Sequence, residues 1–493
     1  MAKDIHGKVY SLWTLALLVL VATFAGDLNA TMLATAVPTL MRDFNISLST
    51  AQQASTWFLL GNGIMIPVTA YLGTRVPTKI LYLFSLAVLF LGGIVAITAP
   101  SSNYLFFIVG RVIQSLGVGV IITLQMVIFA EIFPEEKRGQ AMAIAGLSLA
   151  VSPALGPTFA GWVLHKNHSF LGLTLSDSWR SIFIVPTVII GICLLLAPFI
   201  MRDVLKNKTV KLDILSLILT VAGFGLFLYG LTNAGADGWI KFDTVLLPTL
   251  SGLILLVIFS LRQLKMTAPF LDLRLLTNKQ FSLAALILAF VTMAMMGVEI
   301  ILPVYLQEIR GLSALGSGLT LLPGTLIMTV AMPVFGGIYD KIGGKILSIC
   351  GFSALTLATV PFVFVSSSTP HSWIIFFYAI RAVSIAAVMM PMMSAVMDAV
   401  RPSEMTHASA LSNTLKQVAS ALIVAVFTSV TTKVSKDHLP SAHLKVENLA
   451  LYLTKFINAT IKGYSASFLL AVVLGAIGVV FTLFLKNQEK FKE

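Results

Sequence analysis

Fourteen mostly apolar runs follow one another along this chain. They cover approximately 12–37, 52–73, 80–99, 104–130, 140–164, 180–201, 212–234, 244–264, 281–306, 316–338, 346–366, 373–397, 407–430 and 466–486. The hydrocarbon core of a bilayer takes about 20 such residues in helical form. Inside lipid each backbone N–H and C=O must be satisfied within its own segment, so runs of this length fold as helices. The longest connection, 431–465, leaves no room for a soluble domain. The fold class is therefore an all-α polytopic membrane protein. Composition agrees: 57% of the 493 residues are hydrophobic and 11% are charged, where a soluble protein carries about 25% charged residues. A secreted disulfide scaffold, a cytosolic enzyme and a disordered chain are excluded. The first run comes after Lys3 and Lys8 as a signal peptide would. It outruns the usual apolar region of about 7–15 residues, however, and is kept as a span.

The net charge of +12 does not point to nucleic acid, because the Lys and Arg residues are scattered between the apolar runs rather than clustered. They orient the chain instead. Loops on the side of the N-terminus hold about twice as many as loops on the other side, including Arg75, Lys79, Lys137, Arg138, Lys341 and Lys345. Both termini are therefore expected in the cytoplasm, with the protein in the plasma membrane (the cytoplasmic membrane of a bacterium). Within the loop 431–465, Leu444, Leu449, Leu453, Phe456 and Ile457 keep near-helical spacing. Residues Ser441–Lys462 then form either a short helix lying on the outer face or a plain tether. Cys193 and Cys350 lie far apart inside apolar runs and read as packing residues. No histidine pattern suggests a metal, and no cofactor is implied.

Charges at membrane depth are rare and mostly functional. Among the acids, Asp27 and Glu299 sit well inside spans; the cations there are Arg111, Arg381 and Lys416. Two readings are open for the acids. They form buried ion pairs with Arg111 and Arg381 that serve assembly alone, or they are protonatable groups for which a proton and a substrate compete. Methionines crowd the same places: Met293, Met295 and Met296 near Glu299, and Met389, Met390, Met392, Met393 and Met397 after Arg381. Flexible thioethers suit a pocket that repacks around varied apolar ligands, and equally suit ordinary packing.

Several stretches carry more specific text. The fourth run holds Arg111-Val-Ile-Gln114-Ser-Leu-Gly117-Val-Gly119, an intramembrane cation beside glycines that admit close helix approach. The fifth holds Pro153-Ala-Leu-Gly156-Pro157-Thr-Phe-Ala-Gly161, a kinked and smooth-sided segment suited to sliding. Between the tenth and eleventh runs lies Gly336-Gly-Ile-Tyr-Asp340-Lys341-Ile-Gly343-Gly-Lys345, a tight charged turn. Together with Trp179-Arg180-Ser-Ile-Phe183, Leu302-Pro303-Val-Tyr305-Leu-Gln307 and Ser317-Gly318-Leu-Thr-Leu-Leu-Pro323-Gly324, these resemble the fourteen-span drug:proton antiporter branch of the major facilitator superfamily, the EmrB/QacA type. The likeness runs through nearly the whole chain in order.

The resemblance implies the major facilitator fold, two pseudo-symmetric six-helix bundles with two extra central helices. The divisions expected are 1–205, 206–278 and 279–493, the last carrying the long outer loop 431–465. Proton coupling is expected through Glu299, Asp27, Arg111 and Arg381, one acid and one arginine per half at different depths along one cavity. Asn29, Thr31, Gln114, Met295, Met296, Tyr305, Met393, Asn413 and Gln417 are expected to line the substrate cavity. Pro153, Gly156, Pro157 and Gly161 form the antiporter motif, and Gly336, Asp340, Lys341 and Gly343 join it in gating. Two departures stand out. Thr74 replaces the aspartate that the family favours in the first cytoplasmic loop, which implies a weaker latch there than around Asp340. The family's first-span acid lies nine residues before a proline; here Asn29 holds that place before Pro38, and the acid is Asp27. If the halves repeat and Pro38 matches Pro303, Asp27 falls on Thr292, two turns from Glu299 on the same face. Glu299 is then the stronger proton carrier.

The function expected is a proton-coupled exporter of amphipathic small molecules or drugs, working by alternating access. An exporter or flippase of an endogenous lipid, metabolite or peptide is the alternative on the same fold. A membrane-embedded enzyme or sensor is disfavoured, since no H-E-x-x-H, phosphate loop or cysteine pair occurs and no output domain fits. Gly344-Lys345 is not a phosphate loop: Ile346 comes after it, and Tyr339 stands where the first glycine should be. The partners expected are the small-molecule substrate, protons and the bilayer, with a periplasmic adaptor left open and a monomer otherwise.

Overall fold

The computed structural model describes residues 2–3, 5, 7, 9–73, 75–133, 145, 151–152, 155–170, 173–204, 213–266, 269, 271–401 and 404–485. Its long elements are all helices. Two short antiparallel ladders accompany them, Ala2–Lys3 on Val9–Tyr10 and His168–Phe170 on Leu173–Leu175. Among the described residues, twelve helices are long and apolar enough to cross a membrane.

The first run becomes two helices, α1 (Leu12–Thr31) and α2 (Leu33–Phe44), meeting at Met32. Pro38, which lacks an N–H, sits inside α2 and weakens the same stretch. Next come α3 (Leu48–Leu72), α4 (Thr78–Thr98) and α5 (Tyr104–Ile132). A helical stretch at 155–165, here α6, precedes α7 (Trp179–Ile200). Although 25 residues long, α3 is not among the twelve, because Gln52, Gln53, Asn62 and Thr69 dilute its apolar character. In this first set α5 packs on α1, α3 and α4, and α7 closes against α1 and α4. Trp179 is fully buried among Phe44, Phe107 and Phe183, tying the ends of α2, α5 and α7 together.

The second set consists of α10 (Lys279–Glu308), α11 (Ala314–Ile342), α12 (Gly344–Val363), α13 (His371–Asp398), α14 (Met405–Asp437) and α16 (Leu449–Leu483). Helix α10 packs on α13, α14 and α16, and α12 fills the space between α13 and α16. The two sets meet along α3 with α14 and along α2 with α10 and α11. Between them in sequence, α8 (Ile214–Asp237) and α9 (Leu247–Lys265) form a hairpin whose α8 leans on α3 and α14. Leu250, Leu253, Ile254, Val257, Ile258 and Leu261 of α9 are exposed, the surface expected of a helix that faces lipid.

The long connection 431–465 differs from expectation. Instead of a separate surface helix or a tether over Ser441–Lys462, only Ala442–Glu447 (α15) stands apart. From Leu449 the chain runs into the last span as one 35-residue helix, α16. At 1.5 Å per residue this is about 52 Å long, well beyond the ~30 Å hydrocarbon core. The cause is local: Asn448 caps the start by accepting the Leu451 N–H, and no proline interrupts the helix beyond it. Helix α14 extends alongside to Asp437.

Candidate transport site

The first helix of each set carries an acid, and α5 and α13 carry the arginines. Arg111 on α5 is fully buried. Its Nη2 donates to the Asn29 carbonyl at 2.9 Å and its Nη1 to Gln114 Oε1 at 2.7 Å. The Phe58 ring lies 4.1 Å from the guanidinium carbon and the Phe183 ring 5.2 Å, a cation–π sandwich in a desolvated place. The break at Met32 supplies the acceptor. No backbone hydrogen bond carries the helix from Leu33 back to Asn29, so that carbonyl is free to receive the arginine. Asn29 donates its own Nδ2 to the Ala25 carbonyl at 3.0 Å.

Arg381 on α13 is equally buried and repeats the contact. Its Nη2 donates to the Ala294 carbonyl of α10 at 3.0 Å and its Nε to Thr359 Oγ1 at 2.8 Å. Laying Pro38 on Pro303 puts Asn29 on Ala294. The register read from the prolines thus describes where each arginine docks, and the two halves share one internal brace.

The acids are not the arginines' partners. Among the described residues no ion pair within 4.0 Å joins Asp27 or Glu299 to Arg111 or Arg381. Backbone carbonyls occupy the guanidinium groups instead, so the ion pairs considered from sequence do not form. Both carboxyl residues are half-buried. Glu299 has Arg381 and Tyr378 as charged and polar neighbours. The Ser152 hydroxyl neighbours Asp27. Tyr378 was not among the sequence candidates; its place one turn before Arg381 was the only available sign.

The other expected lining residues scatter. Thr31 binds the Ser152 carbonyl through its hydroxyl at 3.2 Å and faces Gly156, where a Cβ would come within 2.2 Å of Thr31 Oγ1. Gln114 is spent on Arg111, and Met295 is buried in the second set, with Met296 beside it half-buried. Tyr305 is fully buried and donates to the Ser366 carbonyl at 2.7 Å, at the far end of α10 from the arginine. Met393 is exposed. Asn413 donates weakly to Ser409 Oγ, at 3.5 Å. Gln417 lies against Gly63 of α3 and lines a small cleft with α8.

The helix that carries Gly156, Pro157 and Gly161 joins the halves. Gly161 of α6 lies so close to α11 that a Cβ would come within 2.4 Å of the Ala314 carbonyl, and at Gly318 a Cβ would come within 2.6 Å of the Pro157 carbonyl. The Thr158 hydroxyl donates to the Gly318 carbonyl at 3.1 Å, and Gln307 Nε2 donates to the Thr35 carbonyl at 2.9 Å. Pro153 lies outside the described residues. In the charged turn, Gly343 ends α11 at φ +80°, a conformation that needs glycine. Gly336 contacts Met390, so this methionine packs the turn. Lys341 is exposed, and the Asp340 side chain lies outside the described part. Tyr339 donates to Asp398 at 2.7 Å, which fastens the turn to α13. Near the α3–α4 loop, Asp213 at the start of α8 accepts from Ser216 and Arg262 and interacts with Arg75. Burial raises the Asp213 carboxyl, but these hydrogen bonds prevail and hold it below its ordinary range. Thr74 itself is outside the described residues.

A helical membrane protein whose halves repeat one arginine brace and meet along a few helices is built as a transporter rather than an enzyme. The chain belongs to the Major Facilitator Superfamily, whose family profile matches residues 19–424. It is 34% identical to the uncharacterized MFS-type transporter YcnB of Bacillus subtilis, over 99% of this chain and 98% of that one. It is 31% identical to the lincomycin resistance protein LmrB of the same organism, over 97% of this chain and 96% of that one. A bacterial homolog of the human lysosomal transporter Spinster shares the fold with TM-score 0.69, at 13% identity and 96% coverage of both chains.

Proposed function

We propose that this protein is a proton-coupled exporter of amphipathic small molecules, drugs among them, of the fourteen-span antiporter branch. The carrying observation is the matched pair of sites. Each half braces a buried arginine on a backbone carbonyl and leaves a half-buried carboxyl, Asp27 or Glu299, outside that brace. A carboxyl at membrane depth that is not locked in an ion pair is suited to carry a proton. Similarity to a lincomycin resistance protein supports a drug as cargo.

On this reading α1 and α2 form one span, and α3 and α6 complete fourteen. Residues 1–205 and 279–493 rock about the site while 206–278 move with them, with both termini in the cytoplasm of a plasma-membrane protein. Gln307 on Thr35 and Thr158 on Gly318 close the outer side, and alternating access opens it. The chain works as a monomer.

The test uses purified protein in liposomes with an imposed pH gradient and a panel of amphipathic compounds including lincomycin. Gradient-driven movement of at least one compound, with a matching proton flux, is the expected result. Transport indifferent to the gradient overturns the coupling. A panel that is ignored entirely, with activity only toward a lipid or metabolite, overturns the cargo.

A further inference from the structure

Among the described residues at membrane depth, Lys416 is the cation that neither brace uses. It lies on α14, and between residues 407 and 432 no residue of that helix is exposed, the helix being packed against α3, α8, α10 and α16. Lys416 itself is half-buried. Among the described residues it makes no hydrogen bond and no ion pair. Snorkelling is a device of helix ends, and Lys416 stands about 17 Å along α14 from Met405.

Helical geometry says where it points. Eleven residues return to within about 20° of the same direction, and Phe427, eleven further on, sits against Gly297 of α10, where a Cβ would come within 2.5 Å of its ring. Thr414 and Val418 line the cleft with α3 and α8, and two residues turn about 200°. Lys416 therefore faces away from the linker hairpin, toward α10 and the interior. Ser409 and Asn413, both half-buried, share this stripe, which makes it polar as well as charged.

Among the described residues, the charges of the bundle interior do not balance. Asp27 and Glu299 stand against Arg111, Arg381 and Lys416, and both arginines are already held by carbonyls. A lone ammonium in such a place is costly unless a counter-charge or a set of acceptors reaches it. We propose that Lys416, with Asn413 beside it, binds the anionic group of the cargo, a carboxylate, sulfonate or phosphate monoester on an otherwise apolar body. The inference rests on the transport reading above, since it takes the space facing α10 as the substrate path.

The test measures binding rather than transport, in phosphatidylcholine nanodiscs without a gradient. The probes share one radiolabelled naphthyl-propyl body and end in a carboxylate, a carboxamide or an amine. Wild type should bind the carboxylate at least about tenfold more tightly than the other two, the scale of one charge-assisted hydrogen bond. Lys416→Gln should erase the preference, Lys416→Glu should turn it toward the amine, and Lys416→Arg should keep it. The arginine variant, monodisperse on size exclusion, also guards against a folding artefact. Absence of saturable carboxylate binding, or a preference unchanged in Lys416→Gln, overturns the assignment. Displacement of the carboxylate probe by phosphatidylglycerol gives the site to a lipid headgroup and overturns a soluble cargo. Because no gradient is present, loss of proton coupling leaves this result untouched, and the two readings fail separately.

Discussion

Arg111 and Arg381 reach the same place on the first helix of their own set, and there the likeness stops. Arg111 takes its carbonyl from a helix interrupted at Met32 and is sandwiched between Phe58 and Phe183. Arg381 takes its carbonyl from the unbroken α10 and adds a hydroxyl from Thr359. The acids differ too: Asp27 precedes its braced carbonyl by two residues, and Glu299 comes five after its own. The repeat has kept the brace and let the position of the acid drift. A brace must hold one geometry to satisfy a buried guanidinium, whereas a carboxyl that carries a proton, as proposed above, needs only access to the path.

The largest effect that tests this difference is on coupling. Glu299→Gln should abolish gradient-driven transport while folded protein remains in the membrane. Asp27→Asn should leave a measurable part of it, judged by proton flux in liposomes. Equal losses would make the acids equivalent and remove the asymmetry. Next come the braces. Arg111→Lys and Arg381→Lys each lose the two-point grip, at about 1.5–3 kcal/mol for a hydrogen bond to a charged group. Arg111→Lys should cost about 0.5–2 kcal/mol more, because the flat guanidinium between the rings is also lost. Thermal unfolding in detergent ranks the pair; the reverse order would show that the aromatic sandwich contributes nothing.

The junction between the halves gives a smaller effect. Gln307→Ala removes one hydrogen bond to Thr35, about 1 kcal/mol, and should raise the labelling rate of an engineered cysteine beneath that contact by about fivefold. An unchanged rate would leave closure to α6 and α11 alone. Smallest is a control outside both halves. Asp213 is held below its ordinary range in the fold. Its contribution is therefore present above about pH 4, the unfolded value, and is lost as the pH falls through the folded value. Asp213→Asn should lose this acid sensitivity of the α8–α9 hairpin, read by hydrogen exchange at pH 3 and pH 7, and leave both arginine sites unchanged.

The class of fold was legible because it is set by period and length. Apolar runs in lipid have no alternative to helices, and Pro38 and Pro303 marked a register that the arginine contacts obey. Where α16 begins was not legible. Over Ser441–Lys462 the near-helical apolar spacing leaves a separate short helix or a tether open. Yet Lys455 and Lys462 are carried in one helix with the last span, where water accepts them. Nor could sequence show that Gln114, counted among the lining residues, would be consumed by Arg111. It shares a helical face with that arginine, and only the nearby Asn29 carbonyl and Phe rings decide which way both turn.

The sequence by itself determined a bundle of membrane helices and which charges lie deep within it, because burial in lipid is a property of each segment alone. Tertiary structure decided which of those charges are satisfied. A buried charge is satisfied by whatever donor or acceptor happens to be within about 3 Å, and that depends on helices far apart in the chain. Two arginines found backbone carbonyls. Among the described residues, two acids and one lysine stay outside those braces.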